Sequence, residues 1–192
     1  MLSIGIDVGI AGGLALLGDT VASTVEMPII PGTPSKVKGK RGSPSKLDGQ
    51  AIRAWLLSSI ELFEVPTAGA LDRAIRNTVI CIEKQQAMPK QGLVSTFHLG
   101  ESYGILQGIA MGLQIPIMLI GPKQWKKVVL ANTQMDKTAA IDYVRNRYPT
   151  IDLDVGKRKE IFHDGMADAV CIADYGRRMQ MSGKPVGETE DV

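Results

Sequence analysis

The hydrophobic pattern of the chain opens with strands. Residues 2–8 form an Ile-rich run interrupted by one acid, Asp7, and predict a buried strand. Gly9-Ile10-Ala11-Gly12-Gly13 is a glycine-rich turn, and Leu14–Leu17 and Val21–Met27 read as two further strands joined through a tight turn at Gly18-Asp19. Such a start predicts an antiparallel meander. Helical spacing follows through Ile52, Trp55, Leu56, Ile60 and Phe63, placing a helix over Leu47–Phe63. Thr78–Glu83 is apolar until its final residue, as in a strand covered on both faces.

The second half alternates. Thr96–Leu113 predicts a helix in which Gly100, Gly104, Gly108 and Gly112 recur every fourth position, a ridge suited to close packing on the sheet or on another helix. Ile115–Ile120 predicts a strand, Pro122–Ala131 a short helix, Lys137–Tyr148 an amphipathic helix stopped by Pro149, and Asp164–Met179 the last helix. An antiparallel meander followed by alternating helices and buried strands predicts a mixed α/β sheet with helices packed on it. The expected organisation is one domain over residues 1–180, with a flexible basic loop at 28–46 and a disordered polar tail at 181–192.

Composition narrows the class. The chain has 192 residues, enough for one domain with a sizeable core, and its 44% hydrophobic and 22% charged residues are ordinary for a globular protein. Net charge is only +2, but the basic residues cluster. Lys36, Lys38, Lys40, Arg41 and Lys46 share one loop, Lys123, Lys126 and Lys127 a second stretch, and Lys157, Arg158 and Lys159 a third. Cys81 and Cys171 lie in apolar runs and read as core thiols of a reducing compartment. Neither a signal peptide nor a membrane span is expected.

The chemistry is carried by acids at the edges of apolar segments. Asp7 interrupts the first strand, Glu83 closes another, and Asp164 and Asp168 stand four apart in His163-Asp164-Gly165-Met166-Ala167-Asp168. Carboxylates at the margin of a core are unfavourable unless paired or bound to a metal, and oxygen donors suit hard divalent cations. Asp164 and Asp168 share one helix face, where a common cation would relieve their repulsion. In the alternative, Asp164 caps the helix and Asp168 alone binds metal. His163 reads equally as a further ligand, base or phosphate contact and as a helix-start residue. These acids predict metal-dependent phosphoryl transfer.

The segments Ile4–Leu17 with Asp7, Ile80–Glu83, Gly121-Pro122-Lys123-Gln124-Trp125-Lys126 and His163–Ala169 occur in the order seen in RuvC-type Holliday junction resolvases. Over residues 2–178 the chain resembles the phage-like and organellar branch of that family. The resemblance implies a ribonuclease H-like fold, a five-stranded mixed sheet flanked by helices on both sides. It implies a homodimer in the cytoplasm of a bacterial or phage-infected cell, nicking two strands of a four-way DNA junction symmetrically. Asp7, Glu83, Asp164 and Asp168 would be the catalytic and metal-binding acids, with two Mg²⁺ or Mn²⁺ ions per active site. Better-known bacterial members place an acid or His three residues before the last Asp; here the spacing is four, which leaves open whether His163, Asp164 or both act with Asp168.

Two ions roughly 4 Å apart activate water and stabilise the leaving oxygen in such enzymes. By the same resemblance Lys123 or Lys126 lies near the scissile phosphate. Lys36, Lys38, Lys40, Arg41, Lys46, Lys90, Gln91, Lys123 and Lys126 are the expected nucleic-acid contacts, with Gln85 and Phe97 as further candidates, although Phe97 also reads as core. Trp125 reads as packing. Two other functions share the pattern: a ribonuclease H-like nuclease acting on RNA–DNA hybrids or flaps, and a non-catalytic branched-DNA-binding protein. An actin-like ATPase would need a duplicated domain, for which 192 residues leave no room.

Overall fold

A computed structural model of the chain describes residues 1–36, 42–61, 69–131, 133, 138–154 and 163–182. Its elements run β1 (Leu2–Asp7), β2 (Gly13–Leu17), β3 (Ala22–Glu26), β4 (Ile29–Ile30), β5 (Lys46–Leu47), α1 (Gly49–Glu61), α2 (Ala70–Arg76), β6 (Thr78–Glu83), α3 (Leu93–Gly112), β7 (Ile117–Ile120), α4 (Pro122–Val129), α5 (Ala139–Arg147) and α6 (Asp164–Met181). Five strands form one sheet in the order β3-β2-β1-β6-β7. The β1–β2 and β2–β3 pairs are antiparallel, and β1–β6 and β6–β7 are parallel. The expected five-stranded mixed sheet with helices on both sides is what forms. Among the described residues no helix is long and apolar enough to cross a membrane.

Side-chain alternation along the central strands divides the core in two. Ile4 and Ile6 of β1, Leu14 and Leu16 of β2, and Ile80 and Ile82 of β6 pack with Ile52 and Leu56 of α1, Ala74 of α2 and Leu106 and Ala110 of α3. Ala15 and Leu17, with Val79 and Cys81, face the other way, onto Trp125 and Val129 of α4, Val144 of α5 and Ala169, Val170 and Ala173 of α6. Cys81 and Cys171 are both free thiols in this second layer.

Helix α6 lies directly on β1 and β2. A Cβ at Gly5 would collide with the Ala169 carbonyl oxygen and the Ala173 amide nitrogen. One at Gly13 would sit 2.8 Å from the Met166 Cα, and one at Gly176 would strike Cys81 Sγ and Ser3 Oγ. Gly12 and Gly165 form a parallel bridge that joins the start of α6 to the sheet end. Glycine is used here for close approach of backbones rather than for unusual torsion angles.

Four expectations need correction. The basic loop contains paired backbone, since Ile29–Ile30 and Lys46–Leu47 make a two-stranded ribbon. A short helix, α2, occupies residues for which the hydrophobic pattern predicts no element. The glycine ridge does not pack on the sheet: Gly100, Gly104, Gly108 and Gly112 have nothing within 4 Å of a Cβ built on them. Phe97 is not core, being 70% exposed. The predicted tail beyond residue 182, and Lys38, Lys40, Arg41, Phe63, Lys137, Lys157, Arg158 and Lys159, lie outside the described residues.

Candidate active site

Strand parity builds the site. On β1, Ser3, Gly5 and Asp7 share the face covered by α6, and on β6 Val79, Cys81 and Glu83 share the same side. These strands are parallel neighbours whose last registered pair is Ile6 with Ile82, so Asp7 and Glu83 stand side by side at their carboxyl ends. Ligand sites of α/β sheets form at that edge. Across the sheet, Asp7 pairs with Gly13 and Gly13 with Glu26, which brings a further acid into the same row. Helix α6, pressed onto β1 through Gly5, carries Asp168 to this edge.

The electrostatics record the crowding. Burial raises the Asp7 carboxyl to about 7, and the negative charges of Asp168 and Glu83 add to the rise while the Lys126 ammonium opposes it. Burial also raises Asp168, to about 6; Lys126 pulls it down, and Glu83 and Asp164 push it up. Asp7, Glu83 and Asp168 therefore lie within electrostatic reach of one another, with Asp164 exposed at the margin beside Asp168. Lys123 and Lys126 are both exposed on α4, and Lys126 is the one that faces Asp7 and Asp168, while Lys123 stands at the start of the helix.

Glu83 is held from two sides. The indole Nε1–H of Trp125 donates to Glu83 Oε1 at 2.9 Å, and the Gln85 side-chain amide donates to Oε2 at 3.3 Å. Trp125 is fully buried, and the Lys126 Nζ lies 5.1 Å from the centre of its ring. Gln85, a predicted DNA contact, thus touches a candidate active-site acid.

His163, not Asp164, is the N-cap of α6. Its Nδ1 accepts the Met166 backbone N–H at 3.1 Å, so a neutral ring carries its proton on Nε2, which lies 3.7 Å from Glu26 Oε1. Nδ1 is thus occupied by the helix start, while Nε2 faces Glu26 beyond hydrogen-bond distance.

The predicted nucleic-acid residues divide. Lys36 and Lys90 are exposed, and Lys90 adopts a left-handed backbone angle of 69° in the irregular segment before α3. Lys46 Nζ lies 3.4 Å from Glu101, which also faces His98. Lys46 and Gln91, with Gly9, Ile10, His98 and Ser102, help to line a groove of about 390 Å³ beside the turn that follows Asp7.

The donor set is all carboxylate oxygen, the chemistry of a hard divalent cation, and the raised Asp7 and Asp168 mark negative charge that such an ion would neutralise. Among the described residues no three His, Cys, Asp or Glu side chains stand close enough together to hold one as placed. An ion would therefore have to draw these carboxylates inward. Sequence reasoning did not single out Glu26 or the Trp125–Glu83 bond. The signal for Glu26 was available: it ends a strand of the meander just as Glu83 ends β6.

No protein-family model matches the chain, and no curated relative matches it. Solved structures do. RuvC of Thermus thermophilus is 20% identical, with 95% of this chain and 97% of that one covered and a TM-score of 0.55. The same organism's RuvC in complex with Holliday junction substrate is 22% identical over 95% and 96% of the two chains, with a TM-score of 0.54. The yeast mitochondrial Holliday junction resolvase is 15% identical over 93% and 78%, with a TM-score of 0.50. At these identities the likeness speaks for the fold: the chain has the ribonuclease H-like fold of RuvC, with Asp7 and Glu83 on adjacent central strands and Asp168 on the helix that covers them.

Proposed function

We propose that this chain is a structure-selective DNA endonuclease that resolves four-way junctions by paired, symmetric nicks. The observation that carries the reading is the acid row: Asp7 and Glu83 at adjacent strand ends, with Asp168 brought against them, on a fold shared with a protein solved on a Holliday junction. Asp7, Glu83, Asp164 and Asp168 would hold two Mg²⁺ or Mn²⁺ ions. Divalent ions bound there would supply positive charge to offset the negative charge that develops on the scissile phosphate.

The chain's own residues do the rest. Trp125 and Gln85 orient the Glu83 carboxylate. Lys126, facing Asp7 and Asp168, is the cation placed to hold a phosphate oxygen. Lys36, Lys46, Lys90 and Lys123 add phosphate contacts, which give affinity without sequence preference. Water adds to phosphorus and the P–O3′ bond breaks, leaving a 5′-phosphate and a 3′-hydroxyl that a ligase can rejoin.

Paired nicks need two sites, and the outer face of α3 supports a homodimer. Leu93 is 89% exposed and Phe97 70%, with Val94 and Met111 also exposed beside the uncovered glycines. An apolar face of this kind on a helix marks an interaction surface, and identical glycine-lined faces are self-complementary about a two-fold axis. Reduced, buried Cys81 and Cys171 fit a cytoplasmic setting.

The test is denaturing-gel cleavage of an immobile four-way junction, with linear duplex, flap and RNA–DNA hybrid as controls and with Mg²⁺, Mn²⁺ or EDTA. Ligatable nicks on opposite strands are expected, lost with EDTA and in Glu83→Gln, which should still bind the junction. Cleavage of the hybrid or flap with the junction intact would replace the substrate. Near-normal turnover by Glu83→Gln would defeat the assignment.

A further inference from the structure

Trp125 is an unusual core residue. It is fully buried in the layer under α6, where a tryptophan ordinarily contributes area and passes its N–H to a nearby acceptor. Here that acceptor is a carboxylate of the acid row, Glu83 Oε1, 42 positions away in the chain. Gln85 reaches the other oxygen by a longer bond from the irregular segment after β6, so of the two donors Trp125 is the one anchored in packed side chains. The same ring lies under the Lys126 ammonium, the cation that faces Asp7 and Asp168. One rigid side chain thereby touches both an acid and a cation of the site.

Resting on the metal-dependent reading above, we propose that Trp125 is a positioning residue that sets the site's affinity for a divalent cation by holding the Glu83 carboxylate through its indole N–H. With Trp125 on Oε1 and Gln85 on Oε2, each oxygen keeps a lone pair for an ion. Partners of this kind behind a ligating group typically change metal affinity on the order of 10–100-fold.

The experiment measures Mn²⁺ binding directly, by the loss of the free-ion EPR signal, so it needs neither DNA nor turnover. Trp125→Phe keeps an aromatic ring and removes the N–H, and should weaken Mn²⁺ binding by roughly tenfold or more. In a Glu83→Gln background the same change should have little further effect, because two residues acting through one bond are not additive. A merely structural role would give the same loss in both backgrounds. The second arm leaves the core intact. The sequence has two tryptophans, so in Trp55→Phe the emission reports Trp125 alone. Mn²⁺ should quench it with the midpoint of the EPR titration, and Glu83→Gln should blunt the response.

Mn²⁺ affinity of Trp125→Phe within about twofold of the parent, or an equal loss without Glu83, would overturn the proposal. So would Trp125 emission that ignores bound Mn²⁺, which decides the matter if Trp125→Phe does not fold. A parent protein that binds no Mn²⁺ removes the proposal and the metal-dependent reading together. Bound Mn²⁺ with the expected coupling, but no junction cleavage, upholds the proposal and removes only the DNA substrate.

Discussion

Replacing Asp7 by asparagine keeps the shape of the side chain and removes its charge. With its carboxyl raised from 3.8 to about 7 by burial and by Asp168 and Glu83, Asp7 binds a proton in the folded protein that the unfolded chain has already released. Stability of the ion-free protein therefore falls as pH rises through that window, the direction set by the native state holding more protons. A rise of this size corresponds to roughly 4 kcal/mol lost by about pH 8, against less than about 2 kcal/mol at about pH 5. Asp168, raised to about 6, loses stability over an overlapping range. Part of its rise comes from the same crowded acids, so the two losses do not simply add. Asp7→Asn should thus melt higher than the parent in EDTA at about pH 8, by up to roughly 8–16 °C for a domain of this size, with the gain shrinking toward about pH 5. Adding Mn²⁺ should raise the parent's melting temperature and leave Asp7→Asn almost unmoved. Thermal melts by circular dichroism across pH, with EDTA or Mn²⁺, read all of this. An Asp7→Asn protein that melts at or below the parent in EDTA at high pH would show that the acids are not crowded as described.

Gly5→Ala drives a methyl into the Ala169 and Ala173 backbone, which no rotamer change relieves, so α6 must lift from β1; urea titration should show a loss at or above about 3 kcal/mol. Gly104→Ala meets nothing within 4 Å, and should stabilise dilute monomer by about 0.5–1 kcal/mol while sedimentation shows weaker self-association if this face joins two copies. Asp174, only 6% exposed, accepts from the Tyr143 and Tyr148 hydroxyls at 2.6 and 2.7 Å and from Arg178, locking α5 against α6. Tyr143→Phe removes one hydrogen bond to that charge and should lower unfolding free energy by about 1.5–3 kcal/mol without changing junction affinity.

Much of the site was legible because it follows from spacing. A strand that reads apolar to its last residue places Glu83 at a sheet edge, and Asp7 within an Ile-rich run must share a face with Gly5. The Asp164–Asp168 spacing gives one helix face whatever the tertiary fold. What stayed hidden depends on how elements meet. The ridge on α3 shows that one side is small, not which side meets the sheet. Ser102, Leu106 and Ala110 are the buried ones, two residues out of phase with Gly100, Gly104 and Gly108 and so on the opposite face of the helix. Helix α2 has only seven residues, too few to display a period. Lys123 and Lys126 are nearly equivalent along α4, and only the placement of that helix against Asp7 separates them. The Trp125–Glu83 bond joins two segments whose patterns each read simply as core.

The charge crowding and the glycine contacts are two sides of one arrangement. Left to electrostatics, Asp168 would move away from Asp7 and Glu83. It is kept there because Gly5, Gly13 and Gly176 let α6 approach the sheet at backbone distance, burying Met166, Ala169, Val170 and Ala173 on the same helix. The two substitutions above pull this apart in opposite directions. Asp7→Asn removes repulsion while leaving the packing, and should stabilise the ion-free protein. Gly5→Ala breaks the packing while leaving the charges, and should destabilise it and also lower the Asp7 carboxyl toward its ordinary range as Asp168 recedes. Only if helix packing is what forces the acids together will one change raise stability, the other lower it, and both reduce the pH dependence of the melt.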